Sequence, residues 1–150
     1  MNTSLDKKIF IVDDDSFFAN SLKRVLNNLG YKNIAIHPNG KRCIKYLSNN
    51  PEIIFLDYQM EEMDGIEVLE KIREYSSDID VIFTTSMESI VLAIKSIKLG
   101  AYDFLLKKDV SENEVEKILN KIWSTTRSWP TIILAISFFN SSFFWTKFWI

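Results

Sequence analysis

Residues 8–15 read KIFIVDDD: Lys8–Val12 is a short run whose four apolar residues, Ile9–Val12, stop at three aspartates, Asp13–Asp15. A brief unbroken apolar run rich in β-branched residues reads as a strand buried on both faces. Strands of that kind belong to parallel sheets with helices packed on each side.

The rest of the chain repeats the unit. Apolar residues at Phe18, Leu22, Val25, Leu26 and Leu29 have helical spacing, and Gly30 supplies a C-terminal stop. A weaker strand is predicted at 33–36. A helix over 40–48 carries Cys43, Ile44 and Leu47 on one face and is broken by Pro51. Ile53–Leu56 is the next strand, closed by Asp57, and residues 65–75 form a helix with Ile66, Leu69 and Ile72 inward. A strand at 81–84, a helix at 89–99 and a strand at 103–106, closed by Lys107, follow. Ser111 and Glu114 make a capping box for a last helix reaching about Trp123. Strands alternating with helices imply an α/β fold, a doubly wound five-stranded parallel sheet with helices on both faces.

In such a sheet the C-terminal ends of all strands share one edge, where ligands bind. The residues there are Asp13 and Asp14, then Asp57, then Thr85 and Ser86, then Lys107. Close carboxylates raise one another's pKa unless a cation sits among them. A hard ion with oxygen ligands suits them, and Mg²⁺ suits best because it takes one or two carboxylates and leaves a position for a phosphate oxygen. Lys107 and Thr85 would stabilise charge developing on a transferring phosphoryl group. Asp57 would be the nucleophile, since a carboxylate can form an aspartyl phosphate.

The segments IFIVDDD (9–15), FLDYQMEEMDG (55–65), TTS (84–86) and GAYDFLLKK (100–108) resemble the receiver domain of two-component response regulators, in the CheY-like superfamily. The resemblance runs from about Leu5 to Trp123, in a domain placed at 5–126. It implies the flavodoxin-like strand order 2-1-3-4-5. It implies that Asp57 takes a phosphoryl group from a histidine kinase or phosphotransfer protein. It makes Asp14 a direct Mg²⁺ ligand beside Asp57, Asp13 the residue that orders a metal-bound water, and the backbone carbonyl of Gln59 a further ligand. Thr85 would bond the phosphoryl oxygen, Phe104 would turn inward as Thr85 moves, and Lys107 would pair with the phosphoryl group. Output would pass to a protein partner through the surface from about Ser89 to Glu112.

Three positions depart from the family pattern. Lys108 stands where proline, often cis, is usual; a cis bond before a non-proline residue costs ~2.5–4 kcal/mol, so a trans peptide and a shifted 107–111 loop are expected. Glu61 replaces a common proline, and Phe104 lacks the hydroxyl of the commoner tyrosine.

Other residues have plainer readings. Asp15 serves either as a helix cap or as a site residue. Asp64-Gly65 sets the turn into the third helix. His37 is expected to be exposed and non-catalytic, Cys43 to be a helix core residue, and Phe17 and Phe18 to cover the packing face of the first helix.

The net charge of −2 gives no electrostatic reason to expect a nucleic-acid partner. The polar N-terminus and the single cysteine suit a cytoplasmic protein. All 20 acidic residues precede Trp129, whereas 129–150 carries one charge, Lys147, and three of the four tryptophans. As a helix, 131–150 would be about 30 Å long, enough to span a bilayer, with Asn140, Ser141 and Ser142 awkwardly central. Three readings of this tail stay open: a remnant of a truncated longer regulator, a membrane-associating segment, or a surface that packs on the domain or a partner. With no effector domain of recognisable length after 128, a stand-alone receiver is expected. Asp13-x-Asp15 also fits a small haloacid-dehalogenase-like phosphatase with Asp13 as nucleophile, and a third alternative is an unphosphorylated interaction module.

Overall fold

Ile9–Val12 forms the strand β1, with all four residues buried. Such a strand must be covered on both faces, and the chain supplies the cover by alternation. A computed structural model describes residues 5–124. In chain order it contains α1 (Ser16–Asn28), β2 (Ile34–His37), α2 (Gly40–Lys45), β3 (Ile53–Asp57), α3 (Gly65–Tyr75), β4 (Asp80–Thr85), α4 (Ile90–Lys98) and β5 (Asp103–Leu106). Short 3₁₀ turns follow α2 at Leu47–Asn49 and β5 at Lys107–Asp109. A last helix, α5, occupies 112–124. The chain divides into two compact units, Met1–Glu116 and Lys117–Ile150, and the whole sheet lies in the first. The predicted tail at 129–150 lies outside the described residues, as does the predicted domain end at 126. Among the described residues, no helix is long and apolar enough to cross a membrane.

The five strands are parallel in the order β2-β1-β3-β4-β5, which is the doubly wound arrangement expected. Register aligns the functional edge: Val12 pairs with Leu56 and His37, and Asp57 pairs with Thr84. The core joins Phe10, Ile54, Leu56 and Phe83 of the sheet to Cys43 of α2 and to Val68, Leu69 and Ile72 of α3. Burying each of these aliphatic or aromatic side chains contributes roughly 1.5–3 kcal/mol before entropy is counted.

Two readings need correction. His37 is not exposed: it ends β2 and is only 6% exposed, with its ring 4.3 Å from that of Phe10 and 5.5 Å from that of Tyr46. The strand extends one residue further than its weak pattern suggested, and that residue turns inward. Phe17 does not cover the packing face of α1; it is 81% exposed. Neighbouring helical residues point about 100° apart, and the buried line of α1 is Ala19, Leu22 and Leu26. Phe18 is half-buried. Cys43 is a core residue as expected, and burial pushes its thiol up to about 12.

Candidate functional site

The local sequence sets each loop at the carboxyl edge. After β1, Asp13 Oδ1 accepts the Asp15 N–H at 2.8 Å. Asp15 caps α1, its carboxylate accepting the N–H groups of Phe17 and Phe18 at 2.9 and 3.2 Å. After β3, the Tyr58 N–H donates to Thr84 O at 3.0 Å, and the Gly65 N–H donates to Tyr58 O at 2.9 Å. Asp64 and Glu67 form a reciprocal capping box that starts α3. Gly65 is demanded by space: a Cβ there would lie 2.4 Å from Asp57 O and 2.9 Å from Tyr58 Cα.

These loops bring Asp13, Asp14 and Asp57 together, each offering an oxygen within 4.8 Å of the others. Asp13 and Asp57 are each 2% exposed, while Asp14 is open to solvent. Lys107, at the end of β5, reaches back into the cluster. Its Nζ lies 2.7 Å from Asp13 Oδ2 and 3.3 Å from Asp57 Oδ1. Of the predicted residues, the two buried aspartates, Asp14 and Lys107 therefore meet. Thr85 is fully buried at the end of β4, and its Oγ1 accepts the Met87 N–H at 3.1 Å. Phe104 is half-buried in β5 opposite Phe83 and packs against the core. The nearby backbone amide of Gln59 favours the charged form of the Asp57 carboxylate.

Electrostatics in the cluster are tense. Burial, and then the Asp13 charge, push the Asp57 carboxyl up to about 6 against the pull of Lys107 and the Gln59 amide. Burial also raises Asp13, opposed by Lys107 and the Asp15 amide. Burial alone would lower the Lys107 ammonium, but the two carboxylates outweigh it and hold it above the ordinary lysine value. Asp13 Oδ2 is buried and has an ion pair with Lys107 but no partner in directed hydrogen-bond geometry. A cluster of hard oxygen donors with one oxygen still poorly satisfied fits a divalent ion such as Mg²⁺. A groove of about 280 Å³ opens beside Asp14, lined also by Pro38, Asn39, Met60, Glu61 and Glu62.

The Lys107–Lys108 peptide is trans, since no cis bond occurs among the described residues. The Lys108 ammonium instead pairs with Glu88, in the loop before α4. Sequence reasoning missed two contributors: the Gln59 amide, and Phe18, whose ring faces Lys107 Nζ at 4.6 Å from the centroid. The position of Phe18, one turn beyond the acid triplet, was the available signal.

A doubly wound sheet in the order 2-1-3-4-5, with an acid cluster and a lysine on its carboxyl edge, defines a CheY-like class of α/β protein. Residues 9–120 match the family model described as the response regulator receiver domain, and the chain belongs to that family, the receivers of two-component systems. Among curated relatives it is 31% identical over 119 residues to the chemotaxis protein CheY of Thermotoga maritima, covering 79% of this chain and 98% of that one. It is 31% identical over 112 residues to CheY of Bacillus subtilis, covering 74% and 93%. Among solved structures, the CheX–CheY–BeF3–Mg²⁺ complex from Borrelia burgdorferi superposes with a TM-score of 0.74 at 26% identity, covering 81% of this chain and 92% of that one.

Proposed function

We propose that Asp57 accepts a phosphoryl group from the phosphohistidine of a histidine kinase or phosphotransfer protein, with Mg²⁺ held by Asp13, Asp14, Asp57 and the Gln59 carbonyl. The observation that carries this reading is the approach of Lys107 to both buried carboxylates at the strand ends. A carboxylate oxygen of Asp57 attacks phosphorus in line, the P–N bond breaks, and the histidine leaves with its electron pair. The ion, when bound, offsets the negative charge that gathers on the phosphoryl oxygens. Lys107 supplies a second positive charge, and Thr85, whose Oγ1 accepts the Met87 N–H, still has its own O–H to donate to the phosphoryl oxygen. The groove beside Asp14 supports access for the donor.

Phosphorylation then shifts the balance between two conformations, with Thr85 and Phe104 as the moving pair. The exposed Ile90, Val91, Ile94 and Ile97 of α4 support that helix as part of the surface that a downstream protein reads. A phosphatase using Asp13 as nucleophile is disfavoured, because residues 9–120 match the receiver family as a whole.

The test is incubation with Mg²⁺ and acetyl phosphate followed by intact-mass measurement. One phosphoryl group should be added to the wild type and none to Asp57→Asn. Labelling that persists in Asp57→Asn but vanishes in Asp13→Asn would overturn the assignment.

A further inference from the structure

We infer that Phe18 is a positioning residue for Lys107, holding its ammonium where the phosphoryl group on Asp57 will meet it. This rests on the function proposed above. The Lys107 side chain is only 14% exposed. On one side its Nζ faces Asp13 Oδ2 at 2.7 Å and Asp57 Oδ1 at 3.3 Å. The Phe18 ring stands 4.6 Å from the same nitrogen. An ammonium over an aromatic face is attracted by the ring quadrupole, more strongly as water is removed.

The ring is placed by local chemistry. Asp15 accepts the Phe18 N–H at 3.2 Å, which fixes that backbone in the first turn of α1. The acid triplet therefore does two jobs: Asp13 draws Lys107 in, and Asp15 sets the residue whose ring bounds it. Lysine is a point charge on a flexible stem, and it follows a strand end, where the chain goes directly into a 3₁₀ turn. Without the ring, the ammonium would sample positions away from the phosphoryl oxygen, and the transition state would lose part of its electrostatic support. An aliphatic side chain of similar bulk would fill the space without attracting the charge.

The experiment compares the wild type with Phe18→Tyr, Phe18→Leu and Phe18→Met. In metal-free protein, ¹H–¹³C spectra should show the Lys107 ε-protons upfield of those of exposed lysines, from the ring current. Phe18→Tyr should keep that shift, and both aliphatic variants should lose it. With Mg²⁺ and acetyl phosphate, the aliphatic variants should be phosphorylated roughly two- to tenfold more slowly, with Phe18→Tyr near the wild type. In a Lys107→Met background, replacing Phe18 by Leu should change the rate no further. A purely packing role predicts rates that follow the melting temperature, not the presence of a ring. Equal rates for the Tyr and Leu variants at matched stability would overturn the inference, as would Lys107 ε-protons at ordinary positions in the wild type. If the shift is present but the wild type takes no phosphoryl group, the contact stands and the proposed function fails. If labelling is normal and the shift is absent, only the inference about Phe18 fails.

Discussion

Lys107 Nζ stands 2.7 Å from Asp13 Oδ2, an ion pair that ties the end of β5 to the end of β1 across the intervening β3 and β4. The site thus holds a cation of its own beside its carboxylates. A divalent ion entering it must share the carboxylates with that ammonium.

Replacing Lys107 by Met should therefore have opposite effects on binding and on chemistry. Mg²⁺ affinity should rise by roughly three- to tenfold, because a nearby like charge is gone. Phosphorylation by a small donor should slow by about tenfold or more, because a charge on the transferring group is lost. Calorimetric titration and labelling kinetics on the same sample measure both.

The Asp57 carboxyl stands at about 6 in the fold, raised from 3.8 by burial and by Asp13. A group whose folded pKa is raised gives stability that is fully present below 3.8 and lost as pH rises through about 6. Metal-free protein should melt at lower temperature at pH 7 than at pH 5. Asp57→Asn should flatten much of that slope and stabilise the metal-free fold by about 2–3 kcal/mol at pH 7. Saturating Mg²⁺ should reverse the wild-type trend. Calorimetry across that range checks it.

His37 titrates the other way. Its two ring nitrogens are buried without hydrogen-bond partners, and burial, followed by the Arg42 charge, lowers its pKa below 6.5. The unfolded chain then binds the proton first, so this contribution is present above pH 6.5 and lost as pH falls through the folded value. His37→Phe keeps a ring between Phe10 and Tyr46 and should remove this acid-side loss, read in an Asp57→Asn background, where the opposing carboxyl is gone, as a shallower fall in urea midpoint below pH 6.5 than with His37 in place.

Gly65→Ala should be among the most damaging single-methyl changes. The added Cβ would meet the backbone of Asp57 and Tyr58 and the ring of Phe83, at 2.4, 2.9 and 2.8 Å. Two of these are main-chain atoms that cannot swing aside. A loss of about 2 kcal/mol or more in unfolding free energy is expected, together with weaker Mg²⁺ binding, because the carbonyl pushed aside belongs to Asp57.

The sheet was legible because its inner strands are unbroken apolar runs that end on charged or hydroxyl residues. Ile9–Val12 before Asp13 and Ile53–Leu56 before Asp57 read directly as strands facing a polar edge. The cluster followed from topology, which carries those ends to one rim whatever their distance in sequence. Side-chain direction was less legible. Helical spacing put Phe18, not Phe17, in line with Leu22 and Val25 but gave no sign of its partner, and the structure turns Phe17 to solvent and Phe18 toward Lys107. His37 was hidden because a polar residue at the end of an edge strand looks exposed until Tyr46, from the turn after α2, stacks over it. Lys108 gave no sign of its partner, since Glu88 lies in another loop.

The most direct test of the account locates the acyl phosphate. Protein phosphorylated in Mg²⁺ and then reduced with borohydride should carry homoserine in place of aspartate at position 57, found by peptide mass spectrometry. Homoserine at position 13 or 14, with Asp57 unmodified, would contradict it.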